Sequence, residues 1–418
     1  MRRQSPTRSK LLSKYRPVLS QPGAARLFAS ALVARLPQGM APLAVLLLVR
    51  GATHSYAIAG FAVGAEALAT AGCAPLLGRL VDQVGRRRVL APLACLQAVV
   101  FALLVVAADA HAGPPVLIVL AALAGALLPP IAPVVRVMLR ELFEDVAVRE
   151  TAYAFEAVVQ ELIWMTGPLL VALLIALTSA DLAVALLGVI CVTGTSVFLS
   201  SPLLRAPRGA ADMEQRIGRR SALASPELRA LLGPVALTGI GLGAIEVGLP
   251  SLALHAGSRP ASGLLLALWS LGSLVGGLWY GSRVWRSPLR SRYQALLALA
   301  VICTAPLIAA RSIDAGMLCS LLAGLTISPM FSCQYALVGR SVSAGTETEA
   351  FTWVSAALIG GLAAGSAIGG AVIGAEGVSA PFIVSCLATM LAALLTGLSR
   401  LVSAPGGRRV PAAPDGGR

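Results

Sequence analysis

Long apolar runs separated by short polar breaks dominate the chain. They cover Ala24 to Val49, Tyr56 to Val81, Val89 to Ala108, Val116 to Leu139, Thr151 to Leu177 and Leu182 to Leu203. After a charged break from Arg205 to Pro226 they resume at Leu228 to Ala256, Ser262 to Tyr280, Tyr293 to Ala310, Gly316 to Val338, Ala350 to Ala375 and Pro381 to Leu401. About 20 apolar residues cross the hydrocarbon of a bilayer as a helix, and each run reaches or approaches that length. The pattern predicts an all-α polytopic membrane protein with twelve transmembrane helices. The long break carries Arg208, Arg216, Arg219 and Arg220 among polar residues, too much charge to bury. It divides the chain into a basic tail (1–23), a six-helix half (24–203), a linker (204–227), a second six-helix half (228–402) and a tail (403–418).

Composition agrees with a membrane protein. Of 418 residues, 57% are hydrophobic and 12% charged, with a mean hydropathy of +0.82, unlike a soluble globular chain. A net charge of +14 would suggest nucleic acid on a soluble protein, but here the basic residues lie between the spans. No nucleic-acid partner is therefore expected, and the lipid bilayer is. Arg50, Arg259 and Arg311 alone fall on the side opposite the chain ends, and Arg35 and Arg136 alone within spans. That asymmetry predicts both termini in the cytoplasm of a bacterial-type plasma membrane. Met1 to Gln21 lacks the cleavage pattern of a secretory signal and reads as a cytoplasmic tail, with organelle targeting the other reading of an Arg-rich, acid-poor stretch. The seven cysteines all lie in spans without Cys-x-x-Cys spacing and read as small apolar residues. His54, His111 and His255 are scattered. No metal, cofactor or catalytic constellation is expected, so the chain does not read as an enzyme.

One break has distinctive chemistry: Gly78-Arg79-Leu80-Val81-Asp82-Gln83-Val84-Gly85-Arg86-Arg87-Arg88. Gly78 lets a neighbouring helix approach closely, Gly85 permits the positive φ of a tight turn, and Asp82 can face the positive end of another helix. The arginines hold the loop out of the hydrocarbon. The spacing of Gly, Asp four residues on, Gly three further and two basic residues resembles the signature loop between spans two and three of the major facilitator superfamily. The resemblance implies two pseudo-symmetric six-helix halves, alternating access to a central cavity and a functional monomer. It also implies that the loop docks near the start of span eleven when the cytoplasmic side is closed, where Thr346-Glu347-Thr348-Glu349 stands. Asp82 is then expected to face that helix start, and Arg86 or Arg87 to pair with Glu347 or Glu349; the plainer reading is solvated charge on both sides.

In the second half, Gly277 and the basic Arg283, Arg286, Arg290 and Arg292 keep part of this pattern. Gly281 stands at the acidic position and Val284 at the second glycine, so the cytoplasmic latch is expected to be asymmetric. Gly167-Pro168 is similar to the Gly-Pro that closes the antiporter motif of drug-exporting members, with Ile163 where that motif repeats a glycine. Gly360, Gly361, Gly365, Gly369, Gly370 and Gly374 predict a closely packed face on span eleven.

Ionisable groups at membrane depth are costly and become functional candidates. There are six: Arg35, Glu66, Arg136, Glu156, Glu161 and Glu246. From the predicted boundaries, Arg35, Glu66 and Glu161 each lie about 16 Å from a span end and are expected to share a central cavity. One arginine near two glutamates leaves a carboxylate uncompensated, the condition for a proton carrier; a fixed ion pair is the alternative. Arg136 and Glu156 are placed near the cytoplasmic ends of spans four and five, as a structural or gating pair, and Glu246 in the outer half of span seven. Together these features point to proton-coupled export of a small amphipathic compound. Uptake or release of a defined metabolite, or a membrane sensor that moves nothing, are the alternatives.

Overall fold

The computed structural model describes residues 15–205, 221–258 and 260–398. Most of the expected linker, most of the first tail and the whole of the last lie outside the described residues. Among the described residues twelve helices are long and apolar enough to cross a membrane. They are α1 (Ala24–Thr53), α2 (Tyr56–Val84), α3 (Arg86–Asp109), α4 (Pro114–Leu142), α5 (Val146–Leu177), α6 (Ala180–Leu199), α7 (Pro226–His255), α8 (Ala261–Gly281), α9 (Leu289–Ala309), α10 (Ile313–Ser341), α11 (Glu347–Glu376) and α12 (Ala380–Leu398). No strand occurs among the described residues.

Proline explains the interruptions. A proline ring clashes with the carbonyl four residues earlier and removes one hydrogen-bond donor. Pro129 and Pro130 accordingly divide α4 into Pro114–Ala126 and Ile131–Leu142, and Pro306 separates Leu289–Thr304 from Pro306–Ala309 in α9. Pro329 lies just after the break in α10 between Ile313–Gly324 and Ile327–Ser341.

The two halves repeat one packing plan. In the first, α1 packs on α5 and α6, α2 on α4, and α3 on α6; six spans later, α7 packs on α11 and α12, α8 on α10, and α9 on α12. The contacts between halves obey the same offset, α2 with α11 and α5 with α8. Both pairs close the face that carries the chain ends, called here the terminal face.

The hydrophobic core shows which side is shut. Towards the terminal face one cluster takes residues from both halves, among them Phe28, Val135, Ala154, Leu231, Leu337 and Val354. Towards the opposite face it divides into one cluster of the first half, around Met40, Phe101 and Leu187, and one of the second, around Ile245, Leu265 and Phe382. The halves are thus packed together at the terminal face, with separate cores beyond it.

Glycine sets the approach of α7 to α11. A Cβ on Gly361 would run into the carbonyl of Ala236, and one on Gly365 into that of Ile240, whereas Gly360, Gly370 and Gly374 have no neighbour within 4 Å. The packed face therefore uses only part of the glycine set, because residues four apart share one side of a helix and the others point away. Gly365→Val should lower the thermal unfolding midpoint of the detergent-solubilised protein by several degrees, since overpacking costs about 1–3 kcal/mol. Gly370→Val should leave it unchanged.

Candidate functional site

The terminal face is closed by three layers of polar contacts between the halves. The outermost joins α2 to α11. The N-cap of α11, Thr346, makes no side-chain cap, so the first N–H groups of that helix need acceptors from elsewhere. Asp82 accepts from two of them, Thr348 N at 3.3 Å and Glu349 N at 2.9 Å. Gly78, one turn earlier, leaves room for Thr352 and the Thr348 carbonyl. Gly85 ends α2 with φ 106°, a left-handed-side conformation that favours glycine. Glu349 is buried and accepts from Ser221 at 2.6 Å.

The second layer consists of ion pairs. Arg140, in the last turn of α4, reaches Glu347 at 3.4 Å. Glu150, in the second turn of α5, bridges Arg292 of α9 at 2.8 Å and Arg340 of α10 at 3.0 Å. The guanidinium of Arg86 pairs with Glu141 of its own half at 2.7 Å, while Arg87 is exposed. The expected Arg86 or Arg87 partnership with Glu347 or Glu349 is therefore replaced by Arg140 with Glu347. The physical reason is position: Arg86 opens α3 beside the end of α4, whereas Arg140 projects from α4 towards α11.

The third layer is buried. Arg35 of α1 donates to Glu156 of α5 at 2.8 Å and also to Gln160, one turn further along α5. Arg136 of α4 approaches the same Glu156 oxygen at 3.7 Å. It donates to the Tyr335 hydroxyl at 2.9 Å and to Ser355 at 3.4 Å, both in the second half, and its guanidinium lies 3.9 Å above the Tyr335 ring centroid. Arg35, Arg136 and Glu156 are 2%, 4% and 0% exposed, so two cations share one carboxylate out of reach of water. Among the described residues Arg35 Nε, Arg136 Nε and Gln160 Nε2 have no hydrogen-bond acceptor and Glu156 Oε2 has no donor. The cluster thus carries excess positive charge and spare donors.

This revises one expected pairing. Among the described residues Arg35 makes no ion pair with Glu66 or Glu161; its carboxylate is Glu156, while Glu161 lies near enough to act electrostatically on Tyr335, as the two arginines do. Helix α5 begins at Val146, five residues ahead of the apolar run, which places Glu156 about 15 Å along the helix, level with Arg35 about 16 Å along α1. Glu156 is therefore not at a span end. Glu66 is buried in the first half beside α4, where Thr70 joins the Glu66 and Gly125 carbonyls, and its Oε2 has no partner.

Glu161 stands elsewhere again, half-buried at the seam between α5 and α8. Along this seam Ala154 meets Gly281, Val158 meets Gly277 and Glu161 faces Ser273. Ser273 in turn bonds Ser328 of α10 at 3.0 Å. Among the described residues Glu161 makes no ion pair. Glu246 is exposed on α7. Gly167 and Gly39 mark a close crossing of α5 and α1, where a Cβ on Gly167 would strike the Gly39 backbone; Pro168 lies inside α5 directly after it.

Several partners carried no signal in the chain. Tyr335, Ser355, Glu150 and Arg340 are brought in by tertiary packing alone. Gln160 was findable, four residues after Glu156 and hence on the same face of the helix.

A family model described as Major Facilitator Superfamily matches residues 27–317. Among solved structures, that of the human organic anion transporter MFSD10 (TETRAN) aligns with a TM-score of 0.71 at 19% identity, covering 94% of this chain and all of that one. A bacterial homologue of the iron transporter ferroportin, in the outward-facing state with soaked iron, aligns with a TM-score of 0.68 at 16% identity, covering 91% of this chain and 99% of that one. Comparison with curated protein sequences gives no match.

Two substitutions test this arrangement. Glu156→Gln strands two buried cations and should cost about 3–5 kcal/mol; its thermal unfolding midpoint should fall below that of Arg136→Gln, which leaves a one-to-one pair. Asp82→Ala uncaps α11, a loss of about 1 kcal/mol, and should speed amide hydrogen exchange over 347–352 while leaving the first turn of α5 unchanged.

Proposed function

The chain belongs to the Major Facilitator Superfamily and is an integral multi-pass membrane transporter, and from that premise we propose that it exports a small amphipathic compound in exchange for protons, by alternating access. The observation that carries this reading is Glu161. It lies about 22 Å along α5, well inside the span, on the seam between the halves and without a cation among the described residues. An intramembrane carboxylate of this kind is a candidate proton carrier. When a seam opens and closes around such a group, it exchanges its proton with whichever side water reaches it from. Packing of the halves at the terminal face alone supports a state that releases cargo to the opposite side. The expected cytoplasmic placement of the termini in a plasma membrane makes that release export, and the drug-exporter-like Gly167-Pro168 agrees with this direction.

A second feature narrows the cargo. The Arg35–Arg136–Glu156 cluster has excess positive charge and three donors without acceptors, which favours a compound bearing a negative group. The fold-level likeness to a transporter described as carrying organic anions is compatible with this reading.

Both parts can be tested in proteoliposomes. A panel of fluorescent amphipathic compounds should show flux driven by an imposed pH gradient. Glu161→Gln should slow that flux at least tenfold while keeping gradient-independent exchange of labelled compound; unchanged gradient-driven flux in this variant would remove Glu161 from coupling. Octanoate should inhibit wild-type flux more strongly than octanol or octylamine, and Arg136→Gln should abolish that preference. Equal inhibition by all three would remove the anionic cargo from the proposal.

A further inference from the structure

The two seams that close the terminal face are related by the internal repeat, yet they are held by different chemistry. At the α2–α11 seam, Gly78 opens space and Asp82, four residues on, caps a helix of the opposite half. The corresponding residues of α8 are Gly277 and Gly281, so the acid is missing. Helix α5 does not need it. Its own N-cap, Asp145, accepts from Ala147 N at 2.7 Å and Val148 N at 2.9 Å.

The place beside Gly281 is nevertheless occupied. Tyr15, from the short helical segment 15–19 ahead of α1, is 3% exposed there. Its hydroxyl donates to the Leu278 carbonyl at 3.0 Å and lies 3.4 Å from that of Gly277. Its ring sits 5.7 Å from that of Phe155 in α5. A Cβ on Gly281 would collide with the Tyr15 hydroxyl and with Ala154. Val18 of the same segment is fully buried in the core that both halves share. The segment is joined covalently to the first half and hydrogen-bonded to the second. A cavity of about 160 Å³ between the start of α5 and the end of α8, lined by Val146, Glu150, Tyr280 and Trp285, shows that helix packing alone does not fill this seam.

We propose that segment 15–19 is a strap across the α5–α8 seam, and that Tyr15 is a positioning residue whose release accompanies opening of the terminal face. The strap stands where the repeat places an acidic latch in the other seam. It acts on the alternation between states and is independent of the cargo and of proton coupling. When the halves part at this face, Leu278 and Gly277 move with α8 while Tyr15 stays with α1, so both hydroxyl contacts must break.

The test uses the full-length protein in nanodiscs, without cargo, and the conservative variant Tyr15→Phe. Loss of a neutral hydrogen bond shifts a two-state ratio by about two- to tenfold. Amide exchange at the start of α5 (146–158) and the end of α8 (274–285) should accelerate by that factor. The start of α11, whose Asp82 cap also exists only while the halves are together, should accelerate with them, while helix segments away from the terminal face and the unfolding midpoint stay unchanged. Phe155→Leu, which removes the ring contact, should act on the same two peptides. Unaltered exchange at α5 and α8 in both variants would overturn the strap. So would a rise spread over every helix with a lowered unfolding midpoint, which marks a packing residue.

Discussion

A guanidinium withdrawn from water needs an anion within the protein, and Arg35 and Arg136 both find theirs in Glu156. Much of the closed terminal face is organised around that constraint. Arg35 ties α1 to α5. Arg136 ties α4 to the same carboxylate and extends across to Tyr335 and Ser355 of the other half. A buried charge cluster that spans the halves cannot be rearranged piecemeal: parting them at this level strips Arg136 of two hydrogen bonds and a cation–π contact together. Such all-or-none pairing is what makes a packed interface switch between discrete states instead of deforming continuously.

Above this layer the outermost ion pairs, such as Arg340 with Glu150, are partly exposed and individually weak, and the value of these contacts lies in where they act. Asp82 serves backbone N–H groups that α11 cannot satisfy itself, so the cap exists only while the halves are together. Helix α5 caps itself through Asp145, and its seam is held instead by the Glu150 bridge to Arg292 and Arg340 and by Tyr15. The internal repeat has thus kept its helix packing and let its latches diverge. Packing depends on small residues and shape over many turns, while a latch depends on one or two side chains.

Among the described residues Glu66, Glu161 and Glu246 make no ion pair with this network, although Glu161 acts electrostatically on Tyr335, and each has a different setting. Glu66 is buried on α2, Glu161 is half-buried at the α5–α8 seam, and Glu246 is exposed. Glu161 faces Ser273 of the other half, so its surroundings change when the halves move. That position separates Glu161 from Glu66, which looks equivalent when only depth along a span is considered.

The number of spans and the membrane class were legible in the chain, because hydropathy is a local property and a crossing helix must be apolar over its length. The docking of the signature loop near α11 was an expectation of family resemblance, since the glycine and aspartate spacing encodes a close approach and a cap together. Partnership among the buried charges was not legible. Depth along a span says nothing about which helix lies alongside, and α5 starts at Val146 through residues too polar to register as span, which moved Glu156 from an end to the level of Arg35. Nor does Tyr15 carry any signal in a basic tail. Its role exists because α8 has glycine where the other seam has acid, and only the tertiary fold brings residues 15 and 281 together. Sequence by itself determined which segments enter the membrane, a matter of local transfer free energy; packing between distant helices decided which charges meet and which seam each one guards.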